Sequence, residues 1–232
     1  QPLPIRPFST LDRWHAAGQA NLSASETFTF PLNAILGESH LTVRLAPSFA
    51  LGVLNGLDEL IDYPYGCVEQ TMSRLLPSAV AALAYADLGL PNPKQAELPK
   101  IFATGVQKIV GFQYEDGSWG WFYDDNGSLY MTAYVLYGLT MVQRTGFQVD
   151  NKVIDRGFAA LDGALPKSDD PAAQAFALYV KALAERGDLP LAQTLLGRTS
   201  EMDSASLALL ALALQQDGDS AGAQAALNLL IE

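Results

Sequence analysis

The sequence predicts a mainly α fold, a solenoid or closed ring of helical hairpins preceded by a short β segment. Three observations carry that prediction. From residue 48 onward apolar residues recur at helical spacing, and no strand-like alternation interrupts them. The helical segments are joined by short loops rich in Gly, Pro and Asp, the kind of connection that makes neighbouring helices antiparallel. Before residue 48 the period is two instead of 3.6.

Residues 1–26 carry Pro2, Pro4 and Pro7 and then a Ser-rich stretch, and they read as a linker. In 27–30 Phe28 and Phe30 alternate with Thr27 and Thr29; in 41–45 Leu41, Val43 and Leu45 alternate with Thr42 and Arg44. The Gly37-Glu38-Ser39 turn between them suggests a hairpin. Two strands alone are marginally stable, so the hairpin is expected to belong to a larger β-domain. Helices are then expected over 48–61, 67–88 with a bend near Pro77, 98–111, 129–144, 152–162, 171–186, 189–196, 203–216 and 221–231. The expected division is a linker and partial β segment over 1–47 and a helical domain over 48–232. The start at Gln1 and the stop inside a helical pattern read as a piece of a longer protein with an incomplete ring.

Composition narrows the function. A chain of 232 residues that is 49% hydrophobic can bury a sizeable core. Its net charge of −11 argues against a nucleic-acid role, which needs clustered Lys and Arg. No apolar run is long enough for a membrane span, so no membrane contact is expected. Only His15 and His40 accompany the one cysteine, none spaced for joint coordination, so neither metal nor cofactor is expected.

That cysteine lies in Tyr63-Pro64-Tyr65-Gly66-Cys67-Val68-Glu69-Gln70-Thr71-Met72. Pro64 and Gly66 punctuate an extended entry, and no breaker follows Cys67 until Pro77, so Cys67 belongs in the first turn of a helix. A lone cysteine is most often a small buried hydrophobe. Here, however, residues three apart on a helix have Cβ atoms roughly 5–6 Å apart, so the Cys67 sulfur and the Gln70 carboxamide can meet. The positive end of the helix also favours negative charge on that sulfur when it leaves. Glu69 suits the same helix end by its charge.

A second stretch, Gln113-Tyr114-Glu115-Asp116-Gly117-Ser118-Trp119-Gly120-Trp121-Phe122, falls between two helices. Asp116-Gly117 is a turn signal, and Gln113 and the aromatics suit a staple that pins helix ends. The Gln-x-x-x-Gly-x-Trp pattern resembles the loop staple of terpene cyclases and other rings of helical hairpins, so it points to an α/α toroid more than to a function.

The run Pro64-Tyr65-Gly66-Cys67-Val68-Glu69-Gln70 resembles the internal-thioester signature of the alpha-2-macroglobulin and complement superfamily. Asp116-Gly117-Ser118 and Tyr130-Met131-Thr132-Ala133-Tyr134-Val135-Leu136 are similar to two further family segments, with Tyr130 and Met131 departing from the usual Trp-Leu. The Tyr-Pro-Tyr entry looks more like bacterial members. The resemblance implies an α/α toroid beside a CUB-like β-domain and other macroglobulin-type domains, in the periplasm or cell envelope. It also implies a Cys67–Gln70 thioester that acylates amines of an attacking protease after bait cleavage elsewhere in the parent. This is a single-turnover inhibitor and not an enzyme. Tyr63, and less so Tyr65, would shield the bond from water. Hydroxyl-selective relatives use a downstream histidine; none follows His40, so amines are the expected targets.

Two other readings compete. A toroid terpene cyclase-like enzyme would need an Asp-rich proton donor, and Asp124-Asp125 and Asp169-Asp170 are only pairs in loops. A helical-repeat binding module would leave Cys67 inert.

Overall fold

The computed structural model describes residues 66–123 and 125–230, together with 22–43 and positions 12, 14, 16, 18, 20 and 45. The chain divides into two compact units, Gln1–Leu45 and Ala46–Glu232. The helix expected over 48–61 and the entry residues Tyr63 and Tyr65 lie outside the described residues.

In the first unit no strand forms among the described residues, so the expected hairpin is not confirmed. A single 3₁₀ turn, Leu36–Glu38, occupies the place of the expected tight turn. Phe28 and Phe30 meet edge to face at 4.8 Å, and Trp14 lies 5.1 Å from Phe28, yet these rings stay partly exposed. A period-two pattern becomes a strand only when a neighbour accepts its backbone hydrogen bonds, and no such ladder is present among the described residues of these two short segments.

In the second unit the described residues form eight α-helices: α1 (Val68–Asp87), α2 (Leu98–Gly111), α3 (Leu129–Arg144), α4 (Asn151–Ala164), α5 (Pro171–Leu183), α6 (Leu189–Leu195), α7 (Ser204–Gln216) and α8 (Ser220–Asn228). Most begin on a side-chain cap. Ser128 accepts from the Met131 N–H, Asp150 from Lys152, Asp170 from Ala172 and Ala173, Asp188 from Leu191, Asp203 from Ser206 and Asp219 from Gly222. Each cap satisfies an N–H that has no partner within its own helix. Helix α1 continues through Pro77.

The odd-numbered helices pack side by side in the order α1, α3, α5, α7, while α2 backs α1, α4 backs α3 and α8 backs α7. Pairings between neighbours rise together along both chains. Tyr130 meets Phe176 and Tyr137 meets Tyr179, and Met72 and Leu76 lie against Gly138. Helices α1, α3 and α5 therefore run parallel, with their N-termini at one end. One layer of parallel helices with partner helices behind it is the arrangement of an α/α toroid. Its core is continuous: Val68, Met72, Leu75, Leu136, Leu139, Leu178, Leu210 and Leu214 are almost wholly buried. Burial of this apolar stripe drives the hairpins together.

Candidate functional site

Cys67 is the N-cap of α1, one residue before the helix and not within its first turn. Its backbone is extended, with φ −88° and ψ 173°, and both Cys67 and Gln70 are partly buried. The two residues form a reciprocal capping box. The Gln70 backbone N–H donates to Cys67 Sγ at 3.4 Å, and the Cys67 backbone N–H donates to Gln70 Oε1 at 3.3 Å. A backbone donor thus faces the carboxamide oxygen. Thiol and carboxamide are held on one side of the first turn, as the spacing of three requires.

Thr71 completes the grip on the cysteine. Its backbone N–H and its hydroxyl both donate to the Cys67 carbonyl, at 3.0 and 2.8 Å. Glu69 is exposed in the first turn and accepts from the Ser73 hydroxyl at 3.4 Å. On the adjoining helix, burial pushes the Tyr134 phenol above its ordinary value, and the charges of Tyr130 and Glu69 add to this while a hydrogen bond with Ser73 opposes it. Tyr134 is therefore a neutral phenol beside the first turns of α1.

The loop between α2 and α3 is a staple. The Gln113 amide donates to the Gly117 and Val153 carbonyls at 3.0 and 2.9 Å, tying the end of α2 to α4. Asp116 accepts from the Ser118 N–H and hydroxyl at 2.9 and 2.7 Å, and these bonds hold its carboxyl below the usual value. Gly117 sits at φ 91° with the Arg156 backbone against it, so a side chain has no place there. Trp119 is fully buried and donates its indole N–H to the Ile109 carbonyl at 2.8 Å. The Thr132 hydroxyl bridges the Trp119 N–H and carbonyl.

This staple also reaches the cysteine. The Trp121 carbonyl accepts the Val68 N–H at 3.2 Å, so a loop more than fifty residues away in sequence satisfies the first orphan donor of α1. Neither Thr71 nor the Trp121 carbonyl was singled out by sequence. Thr71 could have been found from its place one helical turn after Cys67; a backbone carbonyl carries no residue signature. Among the described residues no cluster of acidic, His or Cys side chains could hold a metal ion, and no helix is long and apolar enough to cross a membrane.

Residues 39–162, more than half of the chain, match the family model described as the A-macroglobulin TED domain. An alpha-2-macroglobulin of Thermotoga maritima is 36% identical over 140 residues, covering 60% of this chain and 8% of that protein. The Escherichia coli alpha-2-macroglobulin is 28% identical over an alignment covering 91% of this chain and 14% of that protein. The chain thus spans a small part of the length of these relatives. Among solved structures, native E. coli alpha-2-macroglobulin from domain MG7 to its C-terminus aligns with a TM-score of 0.66 at 25% identity, covering 77% of this chain and 30% of that one. Salmonella alpha-2-macroglobulin reacted with methylamine aligns with a TM-score of 0.67 at 27% identity, covering 80% and 13%.

Proposed function

Because the chain belongs to the A-macroglobulin TED domain family, we propose that residues 48–232 are the thioester domain of a protease-trapping inhibitor, with Cys67 and Gln70 as its reacting pair. The observation that supports this reading is the reciprocal capping box at the start of α1, in which each side chain bonds the other residue's backbone N–H.

The chemistry balances in two steps. The Cys67 thiol adds to the Gln70 Cδ carbonyl and ammonia leaves, closing a thioester across one helical turn. A primary amine of a captured protein then attacks the same carbon; an amide forms at Gln70, the C–S bond breaks, and Cys67 takes up the proton as a free thiol. The leaving sulfur sits at the N-terminal end of a 20-residue helix, where the dipole stabilises its developing charge. Sulfur also donates little electron density to the carbonyl, which keeps that carbon electrophilic.

Nothing regenerates the thioester, so each molecule reacts once, as an inhibitor and not as an enzyme. Bait cleavage in another part of the parent would expose the bond, with Tyr63 and Tyr65 as its expected shield and Glu69 supporting the helix end. The absence of a histidine after His40 favours amines over alcohols. A Salmonella neighbour has been solved after reaction with methylamine, an amine nucleophile. The partners are then proteases and the other macroglobulin-type domains of the parent, in a bacterial periplasm or cell envelope as a defence against foreign proteolysis.

Intact mass tests the reading. The freshly prepared protein is expected to weigh one ammonia less than its sequence, to gain one methylamine on treatment, and to release one titratable thiol. Full sequence mass with a free thiol from the outset would falsify it.

A further inference from the structure

Cys67 is held by more than its own helix. The peptide joining Cys67 to Val68 is gripped at both ends, its carbonyl by Thr71 and its N–H by the Trp121 carbonyl. The orientation of this peptide fixes ψ of Cys67 at 173°. With φ and the side-chain torsion, ψ decides where Sγ points relative to the first turn.

The peptide that carries the Trp121 carbonyl is in turn held by one carboxylate, through the Phe122 N–H of the same peptide and the Trp121 N–H beside it. Asp125 accepts from the Trp121 N–H at 2.7 Å and from the Phe122 N–H at 3.3 Å, and the Tyr114 hydroxyl bonds both Asp125 and the Phe122 carbonyl. Two backbone N–H groups and a phenol thus converge on this one carboxylate. A Cβ on Gly120 would collide with the Asp125 carboxylate, so Gly120 leaves the space in which that carboxylate reaches the backbone. Among the aromatic side chains here, Trp121 and Phe122 are 45% and 57% exposed, while Tyr123 stacks on the buried Phe112 at 4.1 Å.

We propose that Asp125 is a positioning residue for thioester formation: by fixing the Trp121 carbonyl it aims the Cys67–Val68 peptide, and through it Cys67 Sγ, at Gln70. The proposal rests on the thioester reading above and adds a loop residue that touches neither reacting atom. Asp125 is suited to the task because an ionised carboxylate accepts several N–H bonds at once and holds them more strongly than a neutral acceptor. Reaction between a thiol and a carboxamide depends steeply on approach geometry, so a small loss of alignment lowers the rate sharply.

The test measures the fraction of molecules lacking ammonia, and the thiol released by methylamine, in folded full-length protein carrying Asp125→Ala, Gly120→Ala, Asp125→Asn or Asp116→Ala. Asp125→Ala and Gly120→Ala are expected to lower thioester occupancy several-fold, the second by displacing the carboxylate without removing it. Asp125→Asn keeps an acceptor for the Trp121 N–H and should retain most of the occupancy. Asp116→Ala breaks the neighbouring turn at Ser118 but leaves Asp125 in place, and its occupancy should match wild type. Wild-type occupancy in Asp125→Ala overturns the inference, and so does an Asp116→Ala loss equal to that of Asp125→Ala, which would mean general loosening of the loop. Should Asp125→Ala not fold, Gly120→Ala decides by the same criterion. Wild-type protein at full sequence mass overturns the thioester reading itself, and this inference with it.

Discussion

The Trp119 indole donates to the Ile109 carbonyl at 2.8 Å, joining the loop between α2 and α3 to the last turn of α2. The ring is fully buried against Gly157 of α4, so one side chain links α2 to α4. Removing the ring leaves a large void, and Trp119→Ala should cost about 3–5 kcal/mol of unfolding free energy. Trp119→Phe keeps most of the volume and loses one bond to the Ile109 carbonyl, which still accepts from the Phe112 N–H at 3.1 Å, so it should cost only about 0.5–1.5 kcal/mol. Urea titrations of the two variants should rank them in that order; equal losses would show that the hydrogen bond and not the ring carries the staple.

Gly157 gives the converse test. A Cβ built there stands 2.7 Å from the Trp119 ring and 2.8 Å from a Leu136 methyl, closer than real contacts allow. Alanine gains up to about 1 kcal/mol in helix propensity over glycine. Overpacking costs about 1–3 kcal/mol, and here the ring that must yield is itself clamped. The strain should win, so Gly157→Ala is expected to lower the unfolding midpoint although it sits inside a helix. A raised midpoint would mean that Trp119 has room to shift.

For Cys67 the two roles separate. The residue caps α1, and Cys67→Ala should cost about 1 kcal/mol as a lost N-cap. Cys67→Ser supplies a better capping oxygen and should recover that stability. Neither variant should lose ammonia or take up methylamine. If Cys67→Ala instead unfolds the domain, the inert-core reading of this cysteine gains.

Asp217 sets up a pH test. It caps the C-terminal end of α7, where negative charge opposes the helix dipole, and its Oδ2 is shut away from solvent without a partner. Burial pushes its carboxyl above the ordinary value, and the Asp188 charge adds to this, while the Asp188 N–H and Lys181 work against it. The folded state therefore binds this proton more tightly than the unfolded state does. Ionised Asp217 subtracts stability at neutral pH, and that penalty fades as pH falls from the folded value toward the unfolded one, about 4. Asp217→Asn should raise stability at pH 7 by up to about 1 kcal/mol, with the gain vanishing near pH 4. Paired urea titrations at the two pH values check this; a gain that persists at pH 4 would assign the effect to packing.

Helical periodicity made the hairpins legible from 98 onward, with ends differing by a few residues where caps such as Asp203 and Asp219 set the start. The period-two stretches at 27–30 and 41–45 show no strand among the described residues, because alternation describes a surface and a strand needs a partner.

Cys67 and Gln70 were legible as neighbours because the N-cap and N3 residues of a helix lie close by local geometry, independent of what surrounds them. Helical-hairpin order and the Asp116-Gly117 turn followed from sequence for the same reason, since each depends on neighbours a few residues away. What grips the cysteine was decided by the tertiary structure. Asp125 looked like half of a solvated Asp pair, yet it accepts the N–H of Trp121, whose carbonyl takes the Val68 N–H, 53 residues back along the chain. No local pattern records such a contact, because it exists only once α1 and α3 have packed and brought their N-termini to the same end of the toroid.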